Sequence, residues 1–139
     1  NLIVNTILLR MAEQAKAFRI DLQADVEIIK DIPVNEYEFA MVLANLLENA
    51  VYAVKDMESE KRAVKAKIHC MAEYLLIDLE NAYQGTVQFD SLTGLPKSGK
   101  GAGHGLGMQS VQAFSDKLGG NIECYCEDNR FRLILFVRF

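Results

Sequence analysis

The sequence predicts a two-layer α/β (α+β) sandwich, in which three helices cover one face of a mixed, mostly antiparallel sheet of about five strands. Hydrophobic periodicity gives the element order helix, strand, helix, hairpin, long loop, helix, hairpin. The 139 residues are 50% hydrophobic and 24% charged, which is typical of a packed chain. No apolar stretch is long enough to cross a membrane. We therefore expect a single domain over residues 1–139.

An amphipathic helix is predicted at the start of the chain, over residues 1–18. Val4, Leu8 and Met11 follow one another at steps of four and three residues, which puts them on one side of a helix. Because the chain begins inside this pattern and without a methionine, we expect it to be a fragment of a longer protein. Residues 20–29 follow with an irregular alternation of apolar and polar side chains, which predicts a strand.

A second helix has a clear start signal. Pro33 ends the preceding element, Asn35 can cap the helix, and Glu38 three residues later can complete a capping box. A wide apolar stripe continues to about Asp56. The next segment, residues 55–61, is rich in charged residues and predicts a solvent-exposed loop.

Two hairpins and a third helix complete the predicted fold. In the first hairpin, apolar and charged residues alternate, which gives the sheet one apolar face and one face in contact with water. Short turns connect the strands of both hairpins, and a glycine pair ends the third helix. The predicted ranges are 63–71 and 74–79 for the first hairpin, 108–118 for the helix, and 121–127 and 131–139 for the second hairpin.

Charge and cysteine content exclude some classes of function. Lysine and arginine total 15 against 19 aspartate and glutamate residues, for a net charge of −4. This acidic balance argues against a nucleic-acid partner, because nucleic-acid-binding proteins usually carry a basic surface. The three cysteines are expected to be free, buried or half-buried thiols in a reducing compartment.

A glycine-rich stretch between residues 82 and 107 holds seven of the nine glycines. Gly94 to Gly101 approaches the spacing of a P-loop, but Gly101 stands where the Mg²⁺-binding serine or threonine is needed, and no buried strand leads in. Further along, Gly103-His104-Gly105-Leu106-Gly107 runs into the third helix. Unpaired N–H groups in a first helical turn attract anions, so this motif predicts either a phosphate site or merely a flexible turn.

Two asparagines inside the second helix are the other candidate site. Asn45 and Asn49 lie one turn apart and within roughly 40° of each other around the helix axis. Each costs the helix roughly 0.5 kcal/mol relative to alanine. They are either half-buried amides satisfied by neighbouring groups, or ligands for Mg²⁺ in a site where bound phosphates supply the negative charge.

Together the two motifs resemble a pair of motifs found in one known protein family. Asn45-Leu46-Leu47-Glu48-Asn49-Ala50 resembles the N box of the Bergerat-fold (GHKL) ATPases, and Gly103-His104-Gly105-Leu106-Gly107-Met108 resembles their second glycine box. The boxes stand in the family's order and at a similar separation, and the resemblance covers essentially the whole chain. The sequence is most similar to the ATP-binding catalytic domain of sensor histidine kinases, in the branch that senses peptides and quorum signals.

The resemblance implies a site for ATP and Mg²⁺. Asn49 would bind Mg²⁺, and Asn45 would support the metal or the phosphates. Residues 86–104 would form a lid over ATP. The phosphate cradle would comprise Gly101, Gly103, His104, Gly105 and Gly107, with Leu106 packed near the nucleotide.

Two positions depart from the family pattern. The aspartate that binds adenine in the family aligns with Asn81, and of the glycines that follow it only Gly85 is present. The Asn81 carboxamide can accept the same hydrogen bond from the adenine amino group, without the strength of a charged acceptor. A basic residue found in many family members aligns with Tyr52, which we include among the expected nucleotide contacts.

The function implied by the resemblance is transfer of the γ-phosphoryl group of ATP to a histidine on the protein's own dimerisation domain, with a response regulator downstream. No catalytic residue is expected in this chain, because neither His69 nor His104 lies in the helical setting of the family's acceptor histidine. The full-length protein would be a homodimer anchored in the bacterial cell membrane, with this domain in the cytoplasm.

Two other functions remain open. One is that of an anti-sigma-type serine kinase, and the other is that of a non-catalytic nucleotide-binding regulatory module, which the altered first glycine box suggests. Hydrolytic members of the superfamily resemble one another in having a glutamate one turn before the metal-binding asparagine. This chain has Asn45 there, so a kinase is favoured over an ATPase.

Overall fold

A computed structural model describes residues 2–85, 87–96 and 102–139, and for residues 102–107 it describes the backbone alone. The strands form a five-stranded sheet in the order β1-β2-β3-β5-β4. In the described ranges, no helix is long and apolar enough to cross a membrane. The elements are α1 (Leu2–Ala17), β1 (Asp21–Ile28), α2 (Glu36–Val54), a 3₁₀ turn (Ser59–Lys61), β2 (Ala63–Cys70), β3 (Tyr74–Ala82), α3 (Ala102–Leu118), β4 (Asn121–Glu127) and β5 (Arg130–Arg138).

The predicted fold class is confirmed. β1 and β2 run parallel, because α2 connects them as a crossover, and every other strand pair is antiparallel. Parallel neighbours need such a crossover, whereas antiparallel neighbours are joined by tight turns. α2 is the central helix, since it packs against α1, α3 and β3.

The sheet has an inner face toward the helices and an outer face toward solvent. Along β2, Val64 and Ile68 are buried while Lys65 and Lys67 are exposed, because successive side chains of a strand point to opposite faces. Most buried residues of β2, β3 and β5 form one core with apolar residues of all three helices, and Val64 belongs to a second, smaller cluster with Ala50 and Val54 of α2. The outer face carries charged side chains and lies opposite the helices.

The start of α2 confirms the predicted N-cap. The Asn35 side chain accepts hydrogen bonds from the backbone N–H groups of Tyr37 and Glu38, at 3.0 and 3.1 Å. The Glu38 carboxylate, which was expected to complete a capping box, accepts a hydrogen bond from Lys117 Nζ of α3 at 2.8 Å. Glu38 therefore connects the beginning of α2 to the end of α3.

The glycine pair ends α3 as predicted, through two hydrogen bonds back into the helix. Gly119 adopts φ +70°, its N–H donates to Asp116 O at 3.2 Å, and the Gly120 N–H donates to Ser115 O at 2.8 Å. This is the Schellman arrangement, which requires a left-handed residue just past the helix. Gly120 itself packs against the core, because a Cβ atom there would lie 2.6 Å from Val137 Cγ2 and 3.0 Å from Phe136 O.

The start of α3 corrects the prediction. The helix begins at Ala102, whereas the sequence predicted a start at Met108 and a lid over residues 86–104. The prediction stopped at the glycines because each costs a helix about 1 kcal/mol. That cost does not prevent a helix from forming. α3 extends through the glycines because the segment that follows is anchored in the core by Met108, Val111 and Phe114. The lid boundary at 104 therefore falls inside α3.

β3 also runs further than predicted, to Ala82 in place of Leu79. Asn81 consequently lies within the strand, paired with Val64 of β2 and Phe131 of β5. Asparagine is a poor strand former, but pairing on both sides overrides such local preferences.

The described part of the predicted lid, residues 87–96, contains a compact turn. The Asp90 carboxylate accepts hydrogen bonds from the N–H groups of Leu92 and Thr93, at 2.8 and 3.2 Å. The Asp90 N–H donates to Leu95 O at 2.8 Å, and the Leu95 side chain is buried in the main core. The turn is therefore held against the body of the domain.

The cysteines are free thiols, as expected. Cys70 is buried, and Cys124 and Cys126 are half-buried. Burial raises the pKa of the Cys70 thiol to about 11 and that of Cys124 to about 12. Both thiols therefore stay protonated and unreactive at neutral pH.

Candidate functional site

Asn45 and Asn49 lie on one flank of α2, and both are half-buried. The residues beside them, Leu46 and Ala50, are buried in the core, while Glu48 is exposed. Among the residues that the structure describes, no hydrogen bond to either carboxamide is found. Half-buried amides need hydrogen-bond partners, and a bound ligand could supply them here.

The chemistry of this pair fits Mg²⁺. Magnesium takes oxygen ligands, is usually bound by only one or two protein groups, and keeps several waters. Two amide oxygens one turn apart can supply such ligands without adding charge, which leaves room for the negative charge of phosphates. Glu48 is the nearest carboxylate in sequence, and it points about 100° away from Asn49 around the helix.

Tyr52 continues the same side of α2 toward solvent. Its side chain is 49% exposed, and the Lys55 ammonium lies 4.8 Å from the centre of its ring. This is the geometry of a cation–π contact. The contact holds a positive charge near the end of α2, roughly two turns beyond Asn49.

Asn81 is one of two buried polar residues in the described part of the chain, and it is 5% exposed. Its Nδ2 donates to the carbonyl oxygen of Ala82 at 2.9 Å. With the amide nitrogen engaged in this way, the carboxamide oxygen points away from that carbonyl and remains an acceptor. The residue that aligns with an adenine-binding aspartate is thus a fixed, buried amide on the inner face of the sheet.

Gly85 lies just beyond β3 and adopts φ +95°, with nothing within 4 Å of the place where a Cβ atom would stand. The positive φ explains why glycine occupies this position. Close to it, the Tyr83 N–H donates to Asn129 O at 2.8 Å, which ties the exit of β3 to the turn between β4 and β5. The role of Gly85 in nucleotide binding stays a prediction.

The elements that carry the predicted site residues are neighbours in the fold. α2, with Asn45 and Asn49, packs against β3, which carries Asn81, and against α3, which carries the glycine box. Lys117 at the end of α3 contacts Glu38 at the start of α2. The glycine box is at the other end of α3, about 20 Å away along the helix axis.

The glycine box itself is described only in part. Gly103, His104, Gly105, Leu106 and Gly107 have helical backbone in α3, and Gly101 lies outside the described residues. Backbone N–H groups of a first helical turn are unpaired within the helix and attract anions. Because α3 starts at Ala102, that first turn now includes part of the glycine box itself.

Sequence reasoning missed a contact on the outer face. His69 lies on β2, and its Nε2 is 3.1 Å from Asp25 Oδ2 of β1. No sequence signal could have revealed this pair, because it depends on the parallel register of β1 and β2. A shallow concavity of about 320 Å³ also lies on this face, lined by Lys65, Asp78 and Arg132 among others, and none of the predicted site residues borders it.

A comparison with protein families matches the chain to one described as the GHKL domain. The match covers residues 34–138, which include α2, the N box, the glycine box and all strands except β1. A comparison with curated protein sequences finds no match.

Solved structures with a similar fold include histidine kinases. The catalytic domain of histidine kinase ThkA superposes with a TM-score of 0.73 at 17% identity, over 99% of this chain and 90% of that chain. The mycobacterial sensor histidine kinase MprB gives 0.69 at 15% identity, over 98% and 91%. Histidine kinase AdeS of Acinetobacter baumannii gives 0.68 at 14% identity, over 99% and 63%. At these low sequence identities, the similarity establishes that the fold is shared and nothing more.

Proposed function

Because the chain belongs to the GHKL domain family, we propose that it binds Mg·ATP and donates the γ-phosphoryl group to a histidine on a separate dimerisation domain of the same protein. The observation that carries this proposal is the pair of half-buried carboxamides of Asn45 and Asn49. They lie one turn apart on the central helix, and no described residue forms a hydrogen bond with either carboxamide. Such a pair suits a hard cation that bridges to phosphates.

Each part of the site has a role in this proposal. Asn49, supported by Asn45, would hold Mg²⁺, which supplies neutralising charge to the phosphates. The Asn81 oxygen would accept a hydrogen bond from the adenine amino group. Unpaired backbone N–H groups in the first turn of α3, which includes Gly103, would bind the phosphates, and Gly105 and Gly107, which lack side chains, would let the phosphates approach the helix closely. Gly101, His104 and Leu106 would lie beside them, and Tyr52 and Gly85 would border the nucleotide.

Transfer is favoured over hydrolysis by the side chains around the metal pair. Hydrolysis needs a general base within reach of a water molecule. Asn45 is an amide and takes no proton, and Glu48 is exposed on a different side of α2. Phosphoryl transfer to a supplied nucleophile relies on positioning and charge neutralisation, which these amides can provide.

The proposal includes the partners that such a module requires. The acceptor histidine would lie on the protein's own dimerisation domain, the full-length protein would be a membrane-anchored homodimer in bacteria, and a response regulator would take the phosphoryl group next. The proposal includes no nucleic-acid partner, since the net charge of −4 argues against one.

We expect the chain, mixed with the dimerisation domain of its own full-length protein and with γ-labelled Mg·ATP, to transfer label to that domain. The γ-phosphorus to oxygen bond breaks, ADP leaves, and a bond forms to an imidazole nitrogen. The product should lose its label in acid and keep it in base, as a phosphorylated imidazole does. Omitting Mg²⁺ should stop the transfer.

Other outcomes would replace the proposal. Acid-stable label on a serine of a protein partner would support the serine kinase alternative. Tight ATP binding with no transfer to any acceptor domain would support the non-catalytic regulatory module. The asparagine at position 81, where the family has an aspartate, is the feature that favours this alternative. Absence of Mg·ATP binding would contradict all three functions.

A further inference from the structure

Three potential metal ligands meet on the outer face of the sheet, opposite the helices. The parallel register sets Glu27 of β1 directly across from His69 of β2, and Asp25 lies two residues earlier on the same face of β1. His69 Nε2 is 3.1 Å from Asp25 Oδ2. One ligand atom from each of the three residues lies within 4.8 Å of the other two.

These separations are close to those of a coordinated metal. Nitrogen and oxygen ligands lie about 2.0–2.1 Å from Zn²⁺, so two ligands of a tetrahedral site are about 3.3 Å apart. The His69 and Asp25 atoms already have this spacing. Glu27 needs only a small rotation of a long side chain to complete the set. The His69 side chain is only 15% exposed, so its ring is held by the surrounding strands.

We propose that Asp25, Glu27 and His69 form a binding site for a divalent transition metal of the zinc type. Two carboxylates and a neutral imidazole balance the charge of such an ion. The imidazole favours zinc-type metals over Mg²⁺, which prefers oxygen ligands alone. Lys67 pairs with Asp25 in the register, but its side chain is exposed and free to turn its ammonium group into water.

A metal at this position would stabilise the pairing of the edge strand β1 with β2. β1 is an edge strand of the sheet that the described strands form, and Val26 on its inner face is 39% exposed. A metal bound by both β1 and β2 would stabilise the folded chain, because binding to the native state alone raises the free energy of unfolding. The site is independent of the proposed nucleotide function, because none of its ligands belongs to α2, β3 or α3.

The test is a calorimetric titration of the nucleotide-free chain with Zn²⁺ in the presence of excess Mg²⁺. We expect one equivalent of Zn²⁺ to bind, and His69→Ala and Glu27→Gln each to weaken binding by at least about tenfold. Glu127→Gln removes an exposed carboxylate from β4, the opposite edge strand, and should bind Zn²⁺ as the original chain does. Zn²⁺ should raise the Tm of the original chain and leave that of His69→Ala unchanged.

Three results would overturn the proposal. The first is undiminished Zn²⁺ binding by His69→Ala. The second is loss of binding in His104→Ala, which removes the other histidine of the chain, or in Cys126→Ser, which removes a half-buried thiol. The third is failure of Zn²⁺ to bind the original chain, whether or not that chain binds Mg·ATP.

Discussion

Asn49→Ala is expected to weaken Mg·ATP binding by up to about 100-fold while leaving the fold intact. Loss of one polar contact to a charged group costs up to about 3 kcal/mol, and about 1.4 kcal/mol is a factor of ten in affinity. The Asn49 side chain is half-buried, and alanine is the better helix former by roughly 0.5 kcal/mol. The Tm should therefore stay the same or rise slightly. Calorimetric titration with Mg·ATP and a thermal melt measure the two effects.

Two controls separate a metal site from a general defect. Glu48→Ala changes the adjacent residue of α2, which is exposed, and should bind Mg·ATP normally. With EDTA in place of Mg²⁺, Asn49→Ala and the original chain should bind ATP with the same low affinity, because the lost contact is made to the metal. A defect of Asn49→Ala that persists in EDTA would argue against metal binding, and unchanged Mg·ATP affinity would remove Asn49 from the site.

Gly120→Ala is expected to lower the free energy of unfolding by about 2–3 kcal/mol. A Cβ atom at this position would lie 2.6 Å from Val137 Cγ2 and 3.0 Å from Ser115 Oγ and Phe136 O. Val137 is a β-branched core residue, 1% exposed, so its methyl group has little room to move. For a chain of this size the Tm should fall by roughly 5–10 °C, as circular dichroism can measure.

Gly119→Ala is the matched control for this steric argument. Gly119 has φ +70°, but nothing lies within 4 Å of a Cβ atom there, so alanine should cost only about 1 kcal/mol of backbone strain. Combining Gly120→Ala with Val137→Ala should destabilise the fold less than the sum of the single changes, because the smaller side chain removes the clash. Additive effects, or a larger loss at Gly119, would contradict the packing described for Gly120.

The sequence was informative where local rules decide the structure. The cap at Asn35, the alternation along β2 and the glycine stop of α3 each depend on residues close in sequence, and the structure confirms them. The predicted end of β3 and the predicted start of α3 were wrong for a physical reason. Asn81 has a low strand propensity, which pairing with β2 and β5 on both sides outweighs. The glycine box has a low helix propensity, which core packing further along α3 outweighs.

The candidate site was predictable in part, through the spacing of Asn45 and Asn49 on one helix. The burial of Asn81 and the hydrogen bond from its amide to Ala82 O were not predictable, since they depend on β3 lying between two other strands. The cluster of Asp25, Glu27 and His69 was not predictable either. His69 is more than 40 residues from both carboxylates in sequence, and only the parallel pairing of β1 with β2 brings it to them.

A crystal structure of the chain with Mg²⁺ and a β,γ-imido analogue of ATP tests the proposed site most directly. We expect Mg²⁺ about 2.1 Å from the carboxamide oxygen of Asn49, the adenine amino group about 2.9 Å from the Asn81 oxygen, and the phosphates against the backbone of residues 103–107. A nucleotide bound away from α2, or a metal that leaves Asn49 untouched, would contradict the assignment.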